Sequence, residues 1–284
     1  MRPPASMQEH PTGDPGPKLQ RLEGELGRLL EHGLIVAFSG GMDSAFLLWA
    51  AERARRERGG SLVALTTESA SLPAADRSDA IEFVRDLGVE HLVRASDEMR
   101  IEAYTRNDED RCYHCKAGLF GIAETIAAER GLRWIAYGYN ASDVGDVRPG
   151  HRAALEHGVR APLADVGLTK TEIRTLMREH GLRLAEKPAS PCLSSRIMTG
   201  LEITPSRLED VEALESILRG NGIRVCRVRV CHDATSAFLR VEVAPDEMPR
   251  VLALRDELLR EARARGYRWV TLDLEGYRTG GGRT

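Results

Sequence analysis

A short apolar run that leads directly into a polar, glycine-containing loop constrains this chain more than any other feature. Residues 34–38 are Leu-Ile-Val-Ala-Phe, and residues 39–44 are Ser-Gly-Gly-Met-Asp-Ser. A continuous apolar run of this length is typical of a strand buried on both faces of a parallel sheet. Since Phe46, Leu47 and Ala50 then recur at helical spacing, the pattern predicts a strand, a tight loop and a helix in succession.

The alternation of strand and helix continues after this first unit. Further strands are predicted at residues 62–66, 90–93 and 134–137. Such alternation produces a parallel sheet with helices on both faces, so we predict an α/β domain over residues 19–185. Its ligands should lie at the carboxyl ends of the strands. The helical patterns cover residues 19–32, 43–58, 74–87, 116–130, 151–158 and 170–180.

A smaller second domain is predicted after a proline-containing segment. Residues 186–204 include Pro188, Pro191 and Gly200 and have no clear period, which indicates a linker loop. Residues 205–284 are then predicted to form an α+β domain. Its helices are expected at residues 205–219 and 248–265, and its strands at residues 225–230, 237–243 and 269–274.

Composition narrows the class of protein. The chain has 284 residues, of which 42% are apolar and 29% charged, and its net charge is −3. No apolar run approaches the roughly 20 residues of a membrane span, and the charge gives no general attraction to nucleic acid. Residues 1–18 are rich in Pro and Gly and lack a signal-peptide pattern, so we expect a disordered tail and a cytoplasmic protein.

The polar loop has the features of a phosphate-binding site. A helix N-terminus offers free backbone N–H groups and the favourable end of the helix dipole. Gly40 and Gly41 allow an approach that a Cβ would block, and Ser39 and Ser44 can donate hydroxyl groups. Asp43 needs a cation beside phosphate, which predicts Mg²⁺. The alternative is a tight strand–helix turn with Asp43 as the N-cap.

Three of the five cysteines are candidates for metal or sulfur chemistry. Cys112 and Cys115 lie three positions apart near a predicted helix start, and Cys192 lies in the linker. Arg111 and Lys116 flank the pair, and Arg196 follows Cys192; these cations are expected to stabilise thiolates and to lower the pKa of Cys192.

Several interpretations of these thiols remain open. All three could bind a [4Fe–4S] cluster whose fourth iron holds an exogenous sulfide. Cys192 alone could donate sulfur, with the pair structural or redox-active. The pair could instead bind structural zinc with His114 or a distant ligand, or the thiols could be inert.

Several segments resemble known families. Residues 38–44 resemble the signature of the PP-loop ATP pyrophosphatases, which cleave ATP to AMP and pyrophosphate and adenylate an acceptor; the Gly-Lys-Ser/Thr of a Walker A loop is absent. Nearly all of the chain after the tail is similar to the LarE family of sulfur transferases. The segments that carry this similarity are residues 111–116, 138–143, 145–150, 187–188, 191–197 and 272–278.

The LarE resemblance implies a specific reaction. Members adenylate a carboxylate of pyridinium-3,5-biscarboxylic acid mononucleotide and convert it to a thiocarboxylate during synthesis of the nickel-pincer cofactor. One class sacrifices the sulfur of a single cysteine, matched here by Cys192, and leaves dehydroalanine. Another class has three cysteines and a [4Fe–4S] cluster, and the presence of Cys112 and Cys115 resembles that class. A homo-oligomer and a sulfide or other sulfur donor are also implied.

Supporting cations follow from the chemistry. Negative charge grows on the departing pyrophosphate, so Mg²⁺ and cationic side chains should stabilise it. The candidates by motif position are Lys116, Arg148, Lys170 and Arg196.

The second domain contributes further candidates. Arg227 and Arg229 lie two apart on a predicted strand and therefore on one face. The resemblance implies that this pair binds the phosphate of the substrate nucleotide, and that Glu215 and Asp246 lie near the active site.

Besides a structural zinc module, three other functions remain open. A tRNA thiolase of the same superfamily is disfavoured by the mildly acidic composition. An amide-forming synthetase would make the cysteines incidental. A nucleotide sensor would bind ATP without cleaving it.

Overall fold

The apolar run at residues 34–37 forms the centre of a parallel sheet in the computed structural model, which describes residues 14–145, 149–188, 190–233 and 236–278. Four strands pair in parallel: β1 (Leu34–Ala37), β2 (Leu62–Glu68), β3 (Glu90–Ala95) and β4 (Trp134–Tyr137). Their order is β3-β2-β1-β4. The chain therefore leaves β1 at the point where the strand order reverses, which is where ligands bind in sheets of this type.

Helices cover both faces of this sheet. The helices of this part are α1 (Gly16–Leu30), α2 (Met42–Arg58), α3 (Ala74–Leu87), α4 (Glu102–Thr105), α5 (Arg111–Arg130), α6 (Pro149–Glu156), α7 (Pro162–Asp165) and α8 (Lys170–Glu179). Leu34 and Val36 pack into a core with α1, α2, α3 and α8. Ile35 and Ala37 point the other way and pack with α5 and α6, because side chains alternate along a strand. The predicted α/β class is confirmed.

A second sheet follows in the chain. Its elements are α9 (Pro205–Gly220), β5 (Cys226–His232), β6 (Ala237–Val243), α10 (Met248–Ala253), α11 (Arg255–Ala264) and β7 (Val270–Leu272). β5 and β6 are antiparallel, and β7 adds to β6 in parallel. The core beneath this sheet also takes in Tyr104 of α4 and the linker residues Leu193 and Ile197. The smaller C-terminal α+β unit is thus confirmed, and the preceding linker packs into it.

Several element bounds differ from expectation, including those of α1, α5 and the helix expected over residues 248–265. α1 begins at Gly16, because Pro15 and Pro17 suit a helix start, so residues 16–18 are helical; residues 1–13 lie outside the described residues. α5 begins at Arg111 rather than residue 116, since its first turn is polar and has no apolar period. The helix expected over residues 248–265 is divided by a tight turn at Leu254. Among the described helices, none combines the length and apolar character that a membrane crossing requires.

The end of β4 lies against the first turn of α2, and Gly138 permits this contact. A Cβ at Gly138 would lie 2.7 Å from the backbone nitrogen of Ser44 and 2.9 Å from the carbonyl carbon of Asp43. Both neighbours are backbone atoms, so they cannot move aside as a flexible side chain would. The absence of a side chain at Gly138 therefore sets the spacing between these two elements.

We predict that Gly138→Ala lowers the free energy of unfolding by about 1–3 kcal/mol, because overpacking forces the backbone to shift. Denaturant titration measures the change. Gly121→Ala in α5 is the control: its Cβ would have no neighbour within 4 Å, and alanine favours a helix by up to about 1 kcal/mol. Equal stabilities of the two variants would contradict the packing argument.

Candidate active site

The loop after β1 has the geometry of an anion site. Gly41 is the N-cap of α2, and Gly40 has φ of 72°, a conformation that favours glycine. The hydroxyl oxygens of Ser39 and Ser44 lie 3.2 Å apart, and the Ser44 hydroxyl donates to the Gly41 carbonyl at 3.0 Å. The loop therefore brings two hydroxyl groups to the amino end of a 17-residue helix.

Asp43 lies in the first turn of α2 and is not its N-cap, so the alternative of an Asp43-capped turn is wrong. Its carboxylate is a hard oxygen donor beside the loop. Mg²⁺ at a nucleotide site takes one or two carboxylates and completes its coordination with phosphate and water oxygens. A single acid at this position therefore suits the metal that the sequence predicts.

The three candidate cysteines come together from two segments. Cys112 and Cys115 occupy the first turns of α5, and Cys192 precedes a short 3₁₀ helix, Leu193–Arg196. The two segments are connected by Arg111, next to Cys112, which donates to the carbonyl oxygen of Ser194 at 2.9 Å. Charge on Cys112 contributes to the raised pKa of Cys192, and charge on Cys192 contributes to the raised pKa of Cys115. Within the described residues, no group of three or more His, Cys, Asp or Glu side chains is already arranged around a metal position.

Burial, rather than a nearby cation, has the largest effect on the pKa of the Cys192 and Cys115 thiols. Burial raises the pKa of Cys192, and the guanidinium of Arg111 opposes that effect only in part. Burial, with Glu98 next in importance, raises the pKa of Cys115 well above its ordinary value. The expectation that Arg196 lowers the pKa of Cys192 is wrong, because its guanidinium is directed to other partners.

Arg196 is buried and holds the backbone around Cys192. It donates to the carbonyl oxygens of Pro191 and, at 3.0 Å, of Cys192. Its other nitrogens bind Glu215 on α9 in a bidentate pair at 3.0 and 3.2 Å. These contacts make Arg196 a positioning residue for the Cys192 turn; its role at the pyrophosphate stays a prediction.

Glu215 is fully buried at the end of this pair. It also accepts from the backbone N–H of Val228 at 3.1 Å and from Arg219 at 2.8 Å. Burial alone would raise the pKa of Glu215, but Arg196 and these donors outweigh it and lower the pKa. Glu215 is therefore charged and fully hydrogen-bonded. From its position on α9 it holds the guanidinium group of Arg196 in place.

A second clamp reaches the Cys192 turn from α5. Arg111 donates to the Asn107 side chain at 2.5 Å and to the Ser194 carbonyl at 2.9 Å. Asn107 is buried with φ of 61°, and its amide donates to the carbonyls of three residues. Those acceptors are Ile197, Met198 and Leu201. Sequence analysis missed Asn107, since only its unusual φ and its distant partners reveal it.

A buried polar network lies behind the same turn. Ser71 and Tyr104 both donate to one carboxylate oxygen of Glu98, at 2.7 and 3.0 Å. The Tyr104 and Ser194 hydroxyls share a hydrogen bond of 2.6 Å. Sequence analysis missed these residues too, because no motif or period joins them.

The paired arginines of β5 lie on the site's side of the second sheet. Arg229 binds Glu242 at 2.6 Å and the Ser195 carbonyl at 2.9 Å, so it also contacts the Cys192 turn. Arg227 lies over the Tyr277 ring, and burial together with the charge of Arg196 lowers the pKa of Arg227. Arg196 and Arg229 are each paired with a buried carboxylate, Glu215 and Glu242, so the positive charge of this group is partly compensated.

The remaining candidates have no described contact with the phosphate loop or with Cys192. Lys116 lies on α5, where its charge acts on Cys115. Lys170 binds Asp143 at 2.9 Å, and Asp143 belongs to a capped turn with Asn140. Asp246 is exposed in a short 3₁₀ turn. Arg148 lies outside the described residues.

All five cysteines of the chain lie in its described part, and each is a free thiol. Cys226 and Cys231 are buried in or against the second sheet. Burial raises the pKa of Cys226 to about 11, so it is an inert core thiol.

We predict that Glu215→Gln destabilises the protein by about 3–5 kcal/mol, because the charge of Arg196 is left buried without its counterion. The folded pKa of Glu215 lies below its ordinary value of 4.5, so its contribution is complete above that pH and is lost as pH falls further. Denaturant titrations should therefore show the difference from the unchanged protein shrinking in acid. Glu209→Gln, on the exposed face of α9, should change stability by less than about 0.5 kcal/mol; a pH-independent difference would contradict the ion pair.

Comparison with known proteins agrees with this geometry. No family model matches the chain. It is 36% identical over 264 residues to an uncharacterized protein of Synechocystis sp., covering 92% of this chain and 94% of the relative. It is 27% identical over 181 residues to an uncharacterized protein of Methanocaldococcus jannaschii, covering 64% and 69%.

A third relative has an assigned activity. The pyridinium-3,5-bisthiocarboxylic acid mononucleotide synthase of Lactiplantibacillus plantarum is 31% identical over 246 residues, covering 86% of this chain and 87% of the relative. A match of this length spans both the cysteine pair at the start of α5 and the cysteine-bearing linker. The chain therefore belongs to the LarE family, represented by that synthase.

Proposed function

We propose that the protein is an ATP-dependent sulfur transferase that thiolates a carboxylate of pyridinium-3,5-biscarboxylic acid mononucleotide for nickel-pincer cofactor synthesis. The observation that carries the proposal is the course of one segment. In residues 187–188 and 190–196, Lys187 binds the phosphate loop at one end, and at the other Ser194, two residues after Cys192, accepts from Arg111, the neighbour of Cys112. The segment that carries Cys192 is thus attached both to a loop suited to polyphosphate and to the start of α5.

The first step is adenylation. A substrate carboxylate oxygen attacks the α-phosphorus of ATP, the bond to the bridging oxygen breaks, and magnesium pyrophosphate leaves. The hydroxyl groups of Ser39 and Ser44 and the amino end of α2 would bind the departing phosphates, and Asp43 would hold Mg²⁺, which would stabilise the growing negative charge. The product is an acyl adenylate, whose carbonyl carbon is open to attack.

In this proposal the second sheet binds the substrate nucleotide. Arg227 and Arg229 are adjacent on one face of β5, and Arg229 contacts the Cys192 turn directly. A phosphate monoester bound at this pair would place the rest of the nucleotide near that turn. This arrangement supports the role that the sequence predicts for both arginines.

The second step replaces AMP by sulfur. In the sacrificial form, the Cys192 thiolate attacks the acyl adenylate and expels AMP; loss of the Cys192 α-proton then breaks its C–S bond, leaving a thiocarboxylate and dehydroalanine. In the cluster form, Cys112, Cys115 and Cys192 would hold a [4Fe–4S] cluster, and that group would supply an exogenous sulfide as the sulfur that replaces AMP. Thiolates are the donors that such clusters take, and the hydrogen bond from Arg111, next to Cys112, to the Ser194 carbonyl, two residues after Cys192, supports the cluster form.

We predict that the protein, given ATP, Mg²⁺, the dicarboxylate mononucleotide and sulfide, releases AMP and pyrophosphate in step with thiocarboxylate. Cys192→Ala should keep pyrophosphate release and abolish the thiocarboxylate, because the sulfur-carrying group is lost. Mass spectrometry and a pyrophosphate assay measure the two products. Cys231→Ala is the matched thiol control and should retain both; cleavage of ATP only between its β and γ phosphorus atoms would refute the proposal.

We predict that anaerobic reconstitution with iron and sulfide gives about four irons per chain and an absorbance band near ~400 nm. Cys112→Ala and Cys115→Ala should each lower the iron content. Less than one iron per unchanged chain would remove the cluster form. In that case, turnover should convert Cys192 to a residue that has lost the elements of H₂S, seen by peptide mass spectrometry.

A further inference from the structure

Lys187 contacts the phosphate loop, and the roles assigned to the site residues above do not account for this contact. Its ammonium donates to the carbonyl oxygen of Gly40 in the phosphate loop at 3.0 Å. It also lies 2.8 Å from a carboxylate oxygen of Asp76 and 2.9 Å from one of Asp79, both on α3. The lysine side chain is only 11% exposed. An ammonium has three donors, so these three acceptors use all of them.

The contact with Gly40 fixes the orientation of one peptide group. In a trans peptide the carbonyl and the following N–H point in opposite directions, and the described residues contain no cis peptide. A Gly40 carbonyl that faces Lys187 therefore turns the N–H of Gly41 to the other side. There it approaches the Ser39 hydroxyl at 3.4 Å. The N–H of Gly41 thus joins the hydroxyl groups of Ser39 and Ser44 on the side where phosphate is expected.

Glycine makes this restraint necessary. A peptide between two glycines can rotate at little cost, and rotation of this one would present a carbonyl oxygen to the phosphates. Backbone N–H groups act on an anion only when they are already oriented toward it. A buried cation whose position is set by two acids can hold the carbonyl away from the site.

The same lysine belongs to the segment that carries Cys192. Ser190, three residues further along, donates to Asp76 at 2.6 Å, so Asp76 binds both residues. The N–H of Leu193 then donates to the Ser71 carbonyl at 2.8 Å. The segment is therefore fastened to the loop and to α3 before the thiol, and to Ser71 immediately after it.

We propose that Lys187 is a positioning residue that holds the Gly40–Gly41 peptide with its N–H toward the phosphates and ties the Cys192 segment to the phosphate loop. This inference rests on the proposed function for its catalytic consequence. The orientation of the peptide itself bears on nucleotide binding alone. Lys187 acts through Gly40 and Asp76, since its donors are already used.

Binding of MgATP and of magnesium pyrophosphate, measured by calorimetry, tests the first part. Lys187→Met should weaken both by about tenfold or more, the usual effect of losing a charged hydrogen bond. Lys187→Arg, which can still donate to Gly40 and a carboxylate, should recover most of the affinity. Arg183→Met is the matched control, because Arg183 pairs with Asp79 on the same helix and has no bond to the loop among its described contacts; its affinity should be unchanged.

Turnover tests the second part. Ser190→Ala removes one hydrogen bond and should leave the KM for ATP unchanged while lowering the thiocarboxylate formed per pyrophosphate by threefold or more. Unchanged affinity in a folded Lys187→Met, or a full effect in Lys187→Arg, would overturn the peptide-orienting role. If Lys187→Met does not fold, Lys187→Arg and Ser190→Ala still test the proposal. A normal ratio of thiocarboxylate to pyrophosphate in Ser190→Ala would overturn the tie between the Cys192 segment and the phosphate loop. Failure of the unchanged protein to release pyrophosphate would reject the proposed function. The calorimetry would still test whether Lys187 contributes to nucleotide binding.

Discussion

The buried ion pair between Arg196 and Glu215 is the interaction on which the rest of this site depends. Both groups are removed from water, which is costly unless geometry and further hydrogen bonds compensate. Here the compensation is extensive: the pair is bidentate, and Glu215 gains two more donors. The remaining nitrogen of Arg196 binds the carbonyl oxygens of Pro191 and Cys192. The position of the Cys192 turn is therefore set by α9, the helix that packs against the second sheet.

Two other restraints meet the first from different directions. Arg111 and Asn107 attach the residues after Cys192 to the start of α5. Lys187 attaches the residues before it to the phosphate loop. The linker is thus the place where the loop after β1, the cysteine-bearing start of α5 and the second sheet are joined. A segment without regular structure can be held this firmly because side-chain donors satisfy backbone carbonyls that no helix or strand would pair.

The parts of the fold and of the site that the sequence predicts are those with a local cause. The apolar run of β1 and the glycines after it identify the strand and the loop, because burial on both faces and close backbone approach leave direct marks in composition. α5 is longer than expected, since a polar first turn carries no period. Asn107 could not be predicted, because its acceptor Ile197 lies 90 positions away. Arg196 lies four residues after Cys192, yet its charge is taken by Glu215, so burial decides the pKa of the thiol.

These restraints also bear on why such a reaction would need a fastened linker. An acyl adenylate reacts with water as well as with sulfur, so the proposed transfer depends on how quickly sulfur reaches the activated carbon. Groups held in one geometry react as if at very high concentration, because the entropy of bringing them together has already been lost in folding. Burial that raises the pKa of Cys192 keeps its thiol protonated and unreactive when no partner is bound. Rigid placement therefore compensates for a thiol that is weak at rest, and it does so only while both ends of the segment stay attached.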